Sequence, residues 1–420
     1  MSKHLHKSFH SYQVKNLLQK YIAREVRLEH ILGILGIGRS RFFELLKTFR
    51  ENPDDFSIDY KREGVCRRIS PDIEQNILKE LRREKKLIKN PDIPIKSYNY
   101  SYIRDLLRSQ YRQKVSLPTI IKRAKKNDFY ISRPKRKAHD REVLTHYIGE
   151  LVQHDSSYHR WAPLAENKWH LITSLDDYSR TLLYADFVER ETSWDHISAL
   201  ESVILRFGLP YAYYTDSHSI FRFVQGRDSF WRTHYKLTDD VDTQFKQVLQ
   251  ECHIQLNYAL SPQAKGKVER PYGWLQDRIV RTCARENIKN ISPAREVLKK
   301  EAHRYNFQQI HSTTGEIPFI RFNRALEEKK SLFREFSVPP PFESTKDIFC
   351  LRAERVVNPY RKISFNNLQF QLKGVAIRNT VQLRIVPNLE TGIAEIRVWN
   401  ENNLAGVFKA KNEDLKLVHF

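Results

Sequence analysis

The sequence predicts a multidomain α/β protein with a helical N-terminal third, a mixed middle and a β-rich C-terminal end. Three observations carry that prediction. Apolar residues recur at helical spacing as far as Lys126. From Val143 the texture changes to strand-like runs interleaved with helical stripes. After Pro339-Pro340-Pro341, short β-rich runs alternate with Asn, Gly and Pro. A chain of 420 residues exceeds one ordinary core, so about two to four domains are expected. The boundaries read from these changes are 1–64, 65–141, 142–335 and 345–420.

In the first segment, Leu17, Leu18, Tyr21 and Ile22 form one apolar stripe, and Leu28, Ile31, Leu32 and Leu35 form a second. Gly36-Ile37-Gly38 reads as a tight turn, because glycine accepts a positive φ. A helix over Ser40–Arg50 follows, burying Phe42, Leu45, Leu46 and Phe49. Helix, glycine turn and helix make the helix-turn-helix layout. Arg39, Ser40 and Arg41 stand at the second N-terminus, where that layout reaches bases or phosphates. Any small helical hairpin has the same pattern.

The second segment opens on Ser70-Pro71-Asp72, a capping Ser, a Pro at the first helical position and an acid in the first turn. Tyr102, Ile103, Leu106 and Leu107 predict another helix. Ser116 caps a third, in which Thr119, Lys122 and Arg123 are candidate DNA contacts of a second helix-turn-helix or winged-helix unit. The competing reading is a solvated basic helix. Arg133 to Lys137 reads as a basic linker, with Lys135, Arg136 and Lys137 as candidate backbone contacts.

In the third segment, strands are expected over Tyr147–Ser157, Trp169–Leu175, Leu182–Val188, Tyr211–Thr215 and His253–Tyr258. A helix is expected over Trp194–Arg206, stopped by Gly208-Leu209-Pro210. Two more are expected near 272–286 and 294–310. The last segment predicts a small β-barrel, with turns at Asn366-Asn367 and Pro387–Gly392.

The formal net charge is +22, and residues 1–150 hold 34 Lys and Arg against 18 Asp and Glu, an excess of 16. That distribution favours a polyanionic partner, nucleic acid above all. Cys66, Cys252, Cys283 and Cys350 form no CxxC pair, so neither a zinc set nor a disulfide framework is expected. With no apolar signal core and no long apolar run, a cytoplasmic protein is expected, with no membrane partner. No GxxxxGK[ST] loop is present, so no nucleotide cofactor is expected.

Two acids stand where apolar runs end, Asp155 after Leu151-Val152-Gln153-His154 and Asp216 after Tyr213-Tyr214-Thr215, and a third, Glu269, follows the Pro- and Gly-containing loop Ser261–Val268. Each alone is ordinary: a strand-end cap, a turn residue, a surface partner of Arg270 or Lys265. Asp176 and Asp177 compete for the same role but read as a turn. Together, three carboxylates suit two Mg²⁺ or Mn²⁺ ions per active site, which stabilise both ends of an in-line phosphodiester exchange. Water would then cut the strand, or a DNA 3′-hydroxyl would join it. Lys265, Lys267 and Arg270 would hold the backbone near the scissile bond. His154 should point to the opposite strand face from Asp155. Pro271, lacking an N–H, should keep the helix from starting earlier than about Lys267.

These segments, Gln153–Ser157, Tyr214–Phe221 and Ser261–Arg270, resemble those of bacterial insertion-sequence DDE transposases, whose catalytic core is similar to retroviral integrase. Tyr305-Asn306-Phe307, His311-Ser312, Gly315 and Pro318 resemble the segment closing that core. The resemblance covers roughly 150–320. It implies an RNase H-like mixed-sheet core in which Asp155, Asp216 and Glu269 bind metal, binding to terminal inverted repeats, and a homo-oligomeric synaptic complex. The interval from Asp216 to Glu269 is longer than in retroviral integrases, with 222–242 as the added segment. A catalytically inert DNA-binding regulator and a plain metal-dependent nuclease are the alternatives.

Overall fold

The computed structural model describes residues 5–59, 69–132, 144–216, 243–258 and 266–415, leaving aside the side chains of 266–270. The chain divides into two compact units, Met1–Pro71 and Asp72–Phe420.

In the first unit, α1 (Ser11–Ile22), α2 (Leu28–Leu35) and α3 (Arg39–Glu51) enclose Val14, Leu18, Ile31, Leu35, Phe42, Leu45 and Phe49. The turn between α2 and α3 works as its composition requires. Gly36 ends α2 at φ 62°, and its N–H reaches the carbonyl of Leu32.

In the second unit, α4 (Pro71–Lys89), α5 (Tyr100–Gln110) and α6 (Leu117–Lys126) pack around Ile77, Leu81, Ile103, Leu107 and Ile120. Ser116 caps α6 as expected, accepting from the Thr119 N–H.

A five-stranded mixed sheet follows: β1 (Leu151–His159), β2 (Trp169–Asp176), β3 (Leu182–Val188), β4 (Ala212–Thr215) and β5 (Gln255–Tyr258). Its order is β3-β2-β1-β4-β5, antiparallel through β3-β2-β1 and parallel through β1-β4-β5. On one face lie α7 (Ser193–Phe207) and α8 (Gln244–Glu251), contributing Ile197, Leu200, Phe245 and Val248 to a core shared with Val152 and Tyr213. On the other lie α9 (Gly266–Arg285) and α10 (Ile291–Phe307), whose Tyr272, Leu275, Ile279 and Leu298 meet Leu171, Leu175 and Phe187. A short α11 (Pro318–Glu327) comes next.

Several expectations need correction. The first strand starts at Leu151, not Tyr147, because Gly149 turns the chain at φ 71°, where an added Cβ would lie 2.7 Å from the Phe333 ring. α9 begins at Gly266, so Pro271 sits inside the helix, past its first turn. It removes one ladder N–H there without ending the helix. The helices α8 and α11 were not anticipated.

After α12 (Thr345–Ile348), β6 (Leu351–Val356), β9 (Thr380–Asn388), β10 (Ile393–Asn400) and β11 (Asn403–Lys411) make a four-stranded antiparallel sheet in the order β11-β10-β9-β6. The strands β7 (Lys362–Phe365) and β8 (Leu368–Gln371) form a separate hairpin. Its turn residues Asn366 and Asn367 both have positive φ, as a tight two-residue hairpin demands. The four-stranded sheet shares its core with α7 and α8. Glu251 of α8 also pairs with Arg384 at 2.8 Å and with Arg352.

Candidate active site

Alternation along β1 divides its side chains between two helical layers. Val152 and His154 face α7 and α8. His154 Nε2 lies 2.8 Å from His196 Nδ1, and its ring stacks on Phe245. Gln153 and Asp155 therefore face α9. Asp155 is paired with Thr173 across the antiparallel β1–β2 ladder, and the Thr173 hydroxyl donates to the Tyr272 hydroxyl at 2.8 Å.

The parallel β1–β4 register sets Leu151 beside Ala212, Val152 beside Tyr213 and Gln153 beside Tyr214. Carried two residues further, it sets Asp155 beside Asp216. Neighbouring strands run about 4.8 Å apart. Tyr213 packs toward His154 and Phe245, so alternation turns Asp216 to the opposite side, shared with Asp155. Both acids are half-buried. Burial holds the Tyr272 hydroxyl well above its ordinary pKa, and the charges of Asp155 and Asp216 add to the effect.

Glu269 lies in α9, three residues before Tyr272. Its side chain is outside the described residues, as are those of Lys265, Lys267 and Arg270. Among the described residues no group of three His, Cys, Asp or Glu could hold a metal ion.

Asp176 and Asp177 take structural parts. Asp176 accepts from the Gly149 N–H at 2.8 Å and from the Ser179 hydroxyl at 2.6 Å, and burial pushes its carboxyl up to about 6. Asp177 accepts from Thr145 Oγ1 at 2.7 Å and Arg180 Nη1 at 2.8 Å, and is also bonded by the Gln153 amide. Together they tie the β2–β3 turn to the entry of β1.

Behind the acids runs a buried polar chain that sequence reading missed. Ser174 Oγ meets His154 Nδ1 at 2.9 Å, and His154 meets His196. His196 Nε2 then meets Glu191 Oε1 at 2.9 Å, and Glu191 Oε2 lies 3.2 Å from His170 Nδ1. Burial alone would raise the Glu191 carboxyl, but His196, Ser156 and His170 outweigh it and bring it down to about 2. A depressed carboxylate stabilises the fold above its unfolded pKa and loses that contribution as pH falls through the folded value. A drop from 4.5 to about 2 corresponds to at most about 3 kcal/mol. The stability gap between wild type and Glu191→Gln, read by urea titration, should therefore be fully present above about pH 5 and shrink toward about pH 2. A gap that stays constant with pH would contradict the linkage.

The candidate DNA contacts are scattered over both units. Arg39, Ser40 and Arg41 are exposed on the first turn of α3, with Arg41 paired to Glu44 at 2.8 Å. Ser116 and Lys122 are exposed on α6, and Thr119 is half-buried. Arg123 is half-buried, and its Nε pairs with Glu74 at 2.6 Å. Lys135, Arg136, Lys137 and the segment 222–242 lie outside the described residues.

This mixed sheet, with two acids opposed near its parallel seam, sits in a chain that is similar to insertion-sequence transposases. It is 30% identical over 238 residues to the transposase for insertion sequence IS1202 of Streptococcus pneumoniae, covering 57% of this chain and 45% of that protein. It is 29% identical over 293 residues to a protein provisionally named transposase y4bF of Sinorhizobium fredii, covering 69% of this chain and 58% of that one. The chain thus spans about half the length of these curated relatives. No family model matches it.

Among solved structures, the HTLV-2 integrase catalytic core in complex with magnesium is similar at 18% identity and TM-score 0.30, over 41% of this chain and 95% of that one. A chain of the simian T-cell lymphotropic virus intasome, in complex with PP2A regulatory subunit B56 gamma, is similar at 14% identity and TM-score 0.34, over 73% and 95%. No described helix is long and apolar enough to cross a membrane.

Proposed function

We propose that this chain is a DNA transposase that binds the terminal inverted repeats of a mobile element and cuts and joins strands through Asp155, Asp216 and Glu269. The observation that carries the reading is the β1–β4 register, which leads Asp155 and Asp216 to adjacent places on the side covered by α9. Opposed carboxylates are hard oxygen donors, and one or two of them with water suit Mg²⁺ or Mn²⁺. When bound at these acids, two such ions stabilise charge on the attacking and leaving oxygens of the phosphodiester.

The residues of the chain supply the rest. Lys265, Lys267 and Arg270 hold the DNA backbone beside the acids. Arg39, Ser40, Arg41, Ser116, Thr119, Lys122 and Arg123 read or grip the element ends, within helix-turn-helix units at 1–64 and 65–141. Lys135, Arg136 and Lys137 follow the backbone between them and an RNase H-like core at 142–335. Residues 345–420 act as a small barrel-type module, and the working form is a homo-oligomer on paired ends.

The test is incubation with candidate terminal duplexes and Mg²⁺, followed by sequencing of the junctions. Joined products are expected. Cleavage without joining would make the protein a nuclease, and binding without either product an inert regulator.

A further inference from the structure

Tyr272 is an aromatic residue on a helix packed against a sheet, where a phenylalanine would fill the same space. Its hydroxyl is nevertheless placed among polar groups. It accepts a hydrogen bond from Thr173 Oγ1 at 2.8 Å, which leaves its own proton to be donated elsewhere. Thr173 stands directly across the ladder from Asp155, and side chains so opposed lie about 5 Å apart at Cβ. The phenol oxygen therefore sits within reach of the Asp155 carboxylate. Tyr272 is 8% exposed, and a buried phenol needs partners for its hydroxyl. A phenol carries its proton at neutral pH, so it acts as a donor.

We propose that Tyr272, held by Thr173, is a positioning residue of the acidic site that donates to Asp155 and fixes the direction in which that carboxylate presents its oxygens to a divalent cation. The proposal rests on the reading of Asp155 as a metal ligand and adds two residues to it. Outer partners of a ligating carboxylate orient it, and their loss weakens metal binding about 10–100-fold.

The test uses the full chain and Mn²⁺ alone as the probe, with free Mn²⁺ read by electron paramagnetic resonance. Tyr272→Phe should raise the Mn²⁺ dissociation constant about tenfold or more. Strand joining by this variant should need correspondingly more Mn²⁺ yet approach the wild-type rate at saturation, a split that a general packing defect would not produce. Thr173→Val should weaken Mn²⁺ binding in the same direction, and Thr173→Ser, which keeps the hydroxyl, should restore it. Wild-type affinity in both Tyr272→Phe and Thr173→Val would overturn the inference while leaving the metal site standing. Absence of Mn²⁺ binding in the wild type itself would overturn the metal reading, and this inference with it. If Tyr272→Phe fails to fold, the Val and Ser pair at Thr173 decides alone.

Discussion

Asp155→Asn should abolish metal-dependent strand transfer, by at least about a thousandfold or about 4 kcal/mol of transition-state stabilisation, while leaving binding to the element ends intact. The substitution keeps the side-chain shape and removes the charge that a hard cation needs. The cations proposed to grip DNA are all kept in this variant, so affinity for the ends should not follow activity. The melting shift that Mg²⁺ gives the wild type should disappear in Asp155→Asn. Junction sequencing, a gel-shift titration and melts with and without Mg²⁺ check the three parts. Substantial joining by the variant would remove Asp155 from the mechanism.

The second large effect concerns how α9 is held. Arg281 is fully buried and pairs with Glu84, also fully buried, and with Asp277 at 2.9 Å. Arg285 meets Glu84 at 3.1 Å and also pairs with Glu80. Arg278 meets Glu301 at 2.6 Å and Asp105 at 2.7 Å. Burial pushes the Glu84 carboxyl up, and Arg281 and Arg285 pull against it. The helix whose first turns carry Glu269 is thus clamped to α4 by charges with little access to water.

Breaking such a pair from one side leaves the other charge stranded, at about 3–5 kcal/mol. Arg281→Met should destabilise the second unit by that amount in a urea titration. Adding Glu84→Leu should recover much of the loss, because two apolar groups of similar volume can replace a buried pair. Equal stability of wild type and Arg281→Met would mean that the pair contributes nothing. No recovery in the double variant would mean that Arg281 acts through packing instead.

The contrast between these two features shows what could be read from the sequence. Asp155 was legible as the acid that follows the apolar run Leu151–His154, although β1 continues past it to His159, and Asp216 as the acid that follows the end of β4. The strand positions of the core followed from periodicity, and α7 from its apolar stripe and its Gly-Pro stop. The clamp was not legible. Arg278, Arg281 and Arg285 recur at helical spacing, as do Glu80 and Glu84, but charged stripes on helices are ordinarily solvated. Only tertiary packing reveals that these two face each other.

Tyr272 was hidden for a different reason. An aromatic after Pro271 reads as core, and nothing local says that its hydroxyl meets Thr173, 99 residues earlier. Glu191 sits in the connection between β3 and α7, where an acid carries no periodic signal. Pro271 misled the placement of the helix start, because α9 simply forgoes one ladder bond. Gly149 misled the strand start, because the reason for glycine there is tertiary as well as local: an added Cβ would meet the Phe333 ring at 2.7 Å.

The most direct measurement is a crystal structure of the full chain soaked in Mn²⁺, with anomalous scattering used to locate the ions. This account predicts Mn²⁺ bonded at about 2.1 Å to carboxylate oxygens of Asp155, Asp216 and Glu269 together. Saturating Mn²⁺ with no peak there, or Glu269 turned away from the two aspartates, would contradict it.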